Sequence, residues 1–156
     1  MSGTGKPAER QWKKFLAKFD AKVAREATAA IAKLRKLVPG ATELVYDNYN
    51  ALAIGFGPSE KASEAVYSIA VYPKYASLFF LQGAGLPDPG KRLEGSGNVA
   101  RHIKLTVPGM LDEPEIRELI QVALDRAKKP IDPNAERRMV IKSVSKKQRA
   151  RRPTKD

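Results

Sequence analysis

Five short apolar segments lie between two amphipathic patterns, and this order constrains the fold more than any other feature of the sequence. The segments span residues 43–48, 51–56, 65–72, 75–81 and 100–107, and short links with turn-forming residues separate all but the last two, which a long loop connects. Short links between successive strands favour antiparallel pairing, because a parallel pair needs a long crossover. The order therefore predicts a five-stranded, mainly antiparallel sheet.

The first amphipathic pattern runs from Trp12 to Val38, with apolar residues at steps of three or four. Asp20 is a candidate N-cap, so the pattern predicts a short helix followed by a longer one. Pro39 and Gly40 end the pattern. The opposite face is basic, as is typical of a solvated helix surface.

The second amphipathic pattern follows the last strand segment. Asp112 and Glu115 open it with the spacing of a capping box. Two amphipathic helices at the ends of an antiparallel sheet most simply cover one of its faces. The sequence thus predicts an α+β two-layer sandwich with the N- and C-terminal helices on one face of the sheet.

Length and charge suggest a single domain with two polar ends. We assign the domain to residues 12–129, a disordered start to residues 1–11, and a basic, largely disordered tail to residues 130–156. Residues 129–156 hold 10 lysines and arginines and 3 acidic residues, so they carry +7 of the net charge of +12. The segment MVIKSV at 139–144 is a candidate extra strand or docking segment within the tail.

Several functional classes lose support because their sequence signatures are missing. The chain has no cysteine, which excludes disulfides and thiolate sites and fits a cytoplasmic location. We find neither the apolar centre of a signal peptide nor a run of about 20 apolar residues, so no membrane partner is expected. No GxSxG or HExxH motif is present, and we expect a non-enzymatic monomer or weak dimer.

The longest connection between strands, residues 82–99, holds five glycines and two prolines and is predicted to be a shaped loop. It lies within LFFLQGAGLPDP and LEGSGNVARHIKL. Together with LVYDNYNAL and YSIAVYPKYASLFF, these motifs resemble the YdhG-like domain family from about Phe19 to Lys129. The resemblance implies a frataxin-like fold, an uncharacterised function described as intracellular iron chaperoning, Fe(II) as the bound metal and an iron-receiving protein as partner.

The shaped loop and the strand after it form a candidate small-ligand surface. Its glycines can present backbone amides to an anion, or they can simply let the loop fold back. The single histidine is a candidate pH switch or metal ligand, with a purely structural role as the alternative. The candidate ligand-binding residues are Tyr46, Asp88, Gly95, Gly97, Arg101 and His102.

Iron binding would require carboxylate oxygens. The family resemblance implies acidic residues on the first helix and first strand, but the first helix of this chain is basic. The densest acidic cluster opens the last helix, where complementarity to the helix dipole also explains it. The candidate metal residues are Asp112, Glu113, Glu115 and Glu118.

The tail carries the densest basic cluster, which can bind nucleic acid through counterion release or can serve only as a solubilising terminus. Its candidate nucleic-acid residues are Lys146, Lys147, Arg149, Arg151 and Arg152. Aromatic residues are a further candidate for base stacking, with sheet core as the alternative interpretation. They are Tyr67, Tyr72, Tyr75, Phe79 and Phe80.

Overall fold

The structure is a computed structural model that describes residues 5–107 and 109–153. Its helices are α1 (Gly5–Leu16), α2 (Ala21–Leu37) and α3 (Pro114–Arg126). Its strands are β1 (Thr42–Asp47), β2 (Leu52–Gly57), β3 (Tyr67–Val71), β4 (Ala76–Phe80), β5 (Arg101–Leu105) and β6 (Arg138–Val144). None of the helices in these ranges combines the length and apolarity needed to cross a membrane.

All six strands form one open mixed sheet in the order β5-β4-β3-β2-β1-β6. The first five pair antiparallel with their neighbours, as the short links between β1 and β4 predict, and the long loop also joins β4 to an antiparallel β5. Strand β6 is added parallel to β1. The α+β class is thus confirmed, but the predicted number of five strands is wrong because the segment MVIKSV completes a sixth.

Strand β6 also moves the boundary of the domain. Met139 and Ile141 lie in the main core, while Val140 is buried on the other face of the sheet. The sequence interpretation ended the domain at residue 129 and placed MVIKSV in a largely disordered tail, with an extra strand as one of two alternatives for this segment. The structure corrects this, because the apolar residues of β6 cover the otherwise free edge of β1.

The N-terminal boundary changes as well. Helix α1 begins at Gly5, so residues 5–11 are helical rather than disordered. Ala8 is fully buried and Trp12 is 7% exposed, so α1 already packs against the core before the predicted boundary. Residues 1–4 lie outside the described ranges.

The main core lies between the helices and one face of the sheet. It combines residues of all three helices with alternate strand residues such as Val45, Ile54, Ile69 and Leu78. The hydroxyl of Tyr67 donates to the carbonyl of Ile120, which ties β3 to α3, and burial raises the pKa of this tyrosine. All three helices therefore cover one sheet face, as predicted for the terminal helices.

Candidate functional site

The structure separates the predicted ligand-binding residues. Tyr46 lies on β1, whereas Arg101 and His102 lie on β5, four strand positions away. At about 4.8 Å per strand, the separation across the sheet is roughly 19 Å. Asp88 accepts hydrogen bonds from the backbone amides of Arg92 and Leu93 at 2.9 and 2.8 Å, so its carboxylate shapes the loop.

The other predicted ligand residues contact one another within the loop region. The Arg101 guanidinium donates to the carbonyls of Gly97 and Ala100 at 2.5 and 2.7 Å. Gly95 has a φ of 122°, which favours glycine at the fold-back beside His102. The His102 ring stacks on Phe79 with centroids 5.0 Å apart. These contacts favour the interpretation in which the glycines let the loop fold back.

The predicted metal cluster is occupied by cations of the chain itself. Asp112 pairs with Lys33 at 2.8 Å, and this hydrogen bond lowers the pKa of the carboxyl. Arg92 pairs with Glu113 at 2.8 Å and with Glu115 at 3.2 Å, and it lowers the pKa of Glu113. Glu118 is exposed. In residues 5–107 and 109–153, no group of three or more metal-ligating side chains comes together.

The capping box predicted for α3 is wrong. Asp112 lies in a 3-10 turn, and the residue that precedes α3 is Glu113, which makes no side-chain cap hydrogen bond. Asp112, Glu113 and Glu115 form ion pairs with Lys33 and Arg92 instead.

Strand β1 carries two buried carboxylates that the sequence analysis did not recognise as ion-pair centres. Glu43 is fully buried and binds Arg35 at 2.8 and 2.9 Å and Arg137 at 3.0 Å. Asp47 is 1% exposed and binds Arg151 at 2.9 Å. Both lie two residues from Val45 on the strand, so their side chains share its sheet face and point towards the helices. Each attaches β1 to a segment that is distant in sequence.

The Asp47 pair fixes the basic tail against the end of the sheet where β1 ends. Arg151 is 6% exposed, and its guanidinium lies 5.6 Å from the centre of the Phe19 ring. The amide of Arg149 donates to the Tyr49 carbonyl at 2.9 Å, and Arg152 Nε donates to the Lys18 carbonyl at 3.1 Å. The prediction of a largely disordered tail is therefore corrected for residues 145–153.

The docked tail and two strand turns border an open cleft of about 540 Å³, which we call the tyrosine cleft. One wall comes from the β1–β2 turn, another from the β3–β4 turn, and the third from the tail. Its lining residues are Asn50, Tyr72, Pro73, Lys74, Tyr75, Arg149, Ala150, Arg152 and Pro153.

The tyrosine cleft combines two aromatic rings with three cations. The rings of Tyr72 and Tyr75 are 5.0 Å apart with an interplanar angle of 33°, and Lys104 Nζ lies 4.3 Å from the centre of the Tyr75 ring. Burial raises the pKa of the Tyr72 hydroxyl above its ordinary value. The described lining contains no acidic residue. Such a surface suits an anion with a flat ring.

The cleft brings together only part of the predicted nucleic-acid set. Arg149 and Arg152 line it, and Lys146 and Lys147 are exposed on the same segment, but Arg151 is turned inward to Asp47. Of the aromatic set, Tyr67 and Phe80 belong to the core, as the alternative interpretation held.

The sequence analysis named Tyr72 and Tyr75 as candidate stacking residues but missed Lys74 in the turn between them. Lys74 stands between Tyr72 and Tyr75 in the short stretch YPKY, where proline predicts a turn. Two tyrosines and a lysine in a turn are a signal for an exposed aromatic and cationic surface. The partner segment of the tail lies more than 70 residues away, so spacing alone did not join them.

No protein-family model, curated protein or solved structure matches the chain. The resemblance to the YdhG-like domain family stays a prediction, and we argue the function from the geometry of the tyrosine cleft.

Proposed function

We propose that this chain is a non-enzymatic protein that binds single-stranded nucleic acid in the tyrosine cleft. The observation that carries the proposal is the pairing of Tyr72 and Tyr75 with Lys74, Arg149 and Arg152 in one cleft. Proteins that hold single strands stack bases on aromatic rings and bind the phosphates with cations. Both kinds of group are present here within a volume typical of ligand sites.

The surroundings of the cleft extend its positive charge. Lys18, Lys146 and Lys147 are exposed at the same end of the sheet, and Lys104 lies over Tyr75. Asp47, the carboxylate at the end of β1, is neutralised by Arg151. A strand of phosphates passing this end would release counterions from several cations, which favours binding without a requirement for base sequence.

Exposed aromatic surface next to the cleft supports base contacts as well. Tyr49 is 51% exposed in the β1–β2 turn, beside the cleft residue Asn50. Base stacking on an aromatic side chain contributes about 1–3 kcal/mol per base. We therefore propose an unpaired strand as the partner, because the bases of a duplex have no free face for Tyr72 or Tyr75.

The iron-chaperone function that the family resemblance implies stays a prediction. Its acidic cluster is engaged by Lys33 and Arg92, so Fe(II) would have to displace these cations from Asp112, Glu113 and Glu115. The tyrosine cleft needs no such rearrangement, and for this reason we favour nucleic acid.

The double variant R149Q/R152Q is expected to weaken binding of a fluorescein-labelled 12-nucleotide thymidine strand about tenfold at low salt. Loss of two phosphate contacts should also reduce the slope of log K against log salt by about 1.4, because each contact on a single strand contributes about 0.7. Fluorescence anisotropy over a salt series measures both quantities.

The matched control is K128Q/K129Q, which removes the same charge at the opposite end of the sheet, where Lys129 lies 3.9 Å from Glu64. This control should keep the slope of the unmodified protein. If both double variants lose affinity equally, binding depends on net charge alone and the cleft is not the site.

A further inference from the structure

A second cavity of about 500 Å³ lies between α2 and the segment that follows β5, and it shares no lining residue with the tyrosine cleft. Its apolar walls come from both elements, with charged side chains among the lining residues. The apolar residues are Ala29, Ala30, Leu105, Val107, Met110 and Leu111, and the charged ones are Lys22, Arg25, Glu26, Lys33 and Asp112.

Both acidic residues that line this cavity form ion pairs. Lys33 binds Asp112 at 2.8 Å, and this pair ties α2 to the turn that forms the other wall. Lys22 lies 4.0 Å from Glu26, one helical turn away. Arg25 has no acidic partner among the described residues. The cavity therefore combines an apolar interior with one positive charge that is available to a ligand.

We infer that this cavity binds a free small molecule with an apolar body and a single carboxylate. The apolar part of the walls disfavours strongly polar ligands, because polar groups placed against it would lose water without gaining partners. Arginine holds a carboxylate through paired, charge-assisted hydrogen bonds. The volume lies within the range of about 300–1,000 Å³ that small-molecule sites occupy. The charge of Arg25 and the apolar walls together therefore favour a ligand with one carboxylate and an apolar body.

Three probes separate the contributions of charge and apolar body: decanoate, which has both, acetate, which has only the charge, and decanol, which has only the apolar chain. Amide shifts of the labelled full-length chain are followed by NMR during each titration. We expect decanoate to shift residues 22–33, 105–107 and 109–112, decanol to bind at least tenfold more weakly, and acetate to leave these residues unchanged. Equal shifts with acetate and decanoate would overturn the inference.

Two variants test whether Arg25 is the residue that binds the carboxylate. R25Q should weaken decanoate binding at least tenfold and leave decanol binding unchanged, whereas R10Q, an exposed arginine on α1, should change neither. The same loss in R25Q and R10Q would overturn the assignment. Ala29 is exposed on α2, so A29W fills the cavity from a solvent-facing position and should abolish binding of both probes.

A last comparison keeps this site separate from the tyrosine cleft. R149Q/R152Q should leave decanoate binding unchanged, because neither residue lines this cavity. A loss of decanoate binding in that variant would place the carboxylate at the tail and overturn the inference, whatever the outcome for nucleic acid.

Discussion

Replacement of Arg151 by alanine is expected to lower the free energy of unfolding by about 3–5 kcal/mol, since it leaves the buried carboxylate of Asp47 with only the half-exposed Lys18, 3.9 Å away, as a cation. The Arg151 side chain is 4% exposed and that of Asp47 is 1% exposed, so water can replace little of the lost interaction. Arg151 also donates to the carbonyl of Asn48 at 2.5 Å. Urea unfolding followed by Trp12 fluorescence measures the loss.

The same replacement should release the tail from the end of the sheet. Trypsin is then expected to cleave after Lys146, Lys147 and Arg149 much faster than in the unmodified protein, because the hydrogen bonds of this segment to the Asp47 and Tyr49 carbonyls would open more often. The tyrosine cleft would lose one wall, so affinity for the thymidine strand should fall as well.

The control for Arg151 is its neighbour Arg152, which is 61% exposed and lies 3.9 Å from Asp20. R152A should change the free energy of unfolding by less than about 1 kcal/mol, as is usual for an exposed pair. If R151A and R152A destabilise the protein equally, the buried pair does not anchor the tail.

Replacement of Arg35 by alanine should cost about 3 kcal/mol, because the fully buried carboxylate of Glu43 then keeps only Arg137. Arg35 supplies two of its three hydrogen bonds, at 2.8 and 2.9 Å. The expected cost is lower than for Arg151, since the Arg35 side chain is 30% exposed. The measurement is again urea unfolding.

A double-mutant cycle with Glu43→Gln tests the cause of the Arg35 effect. In the E43Q background the buried charge is gone, so R35A should cost about 1 kcal/mol, the size of an ordinary hydrogen bond. Equal costs in both backgrounds would mean that Arg35 acts by packing on α2 and not through the carboxylate. R25A, on the same helix, reports the general cost of removing an arginine.

The antiparallel character of the sheet could be predicted from the sequence because it depends on local features, whereas the strand order was not predicted. Turns such as Asn48–Asn50 and Tyr72–Tyr75 connect neighbours directly, and the alternation of Leu52, Ile54 and Phe56 selects the buried face. Both features can be read within a window of about ten residues, which is the range over which patterns predict structure.

Strand β6 and the docked tail depended on partners that no local pattern contains. Val140 and Ile141 pair with β1 almost 100 residues earlier, and Arg151 meets Asp47 across 104 positions. A run of lysines and arginines predicts disorder when considered alone. Here the tail docks on the sheet, because Arg151 binds the buried carboxylate of Asp47. The tyrosine cleft was missed for the same reason, because Arg149 joins Tyr72 only after the tail has docked.

The helix termini illustrate the same limit on a smaller scale. Asp112 and Glu115 have the spacing of a capping box, yet Asp112 lies in the 3-10 turn before α3 and pairs with Lys33 of α2. The local spacing therefore did not predict the contact that Asp112 makes. The acidic cluster could be located from the sequence, but the cations that neutralise it could not.

The most direct test of the nucleic-acid proposal is an NMR titration of the labelled full-length chain with the 12-nucleotide thymidine strand at 150 mM salt. Our account predicts that the largest amide shifts occur at Asn50, Lys74, Tyr75 and Arg149, with residues near Lys129 unchanged. Shifts spread evenly over all basic surfaces, or no shifts in the tyrosine cleft at saturation, would contradict it.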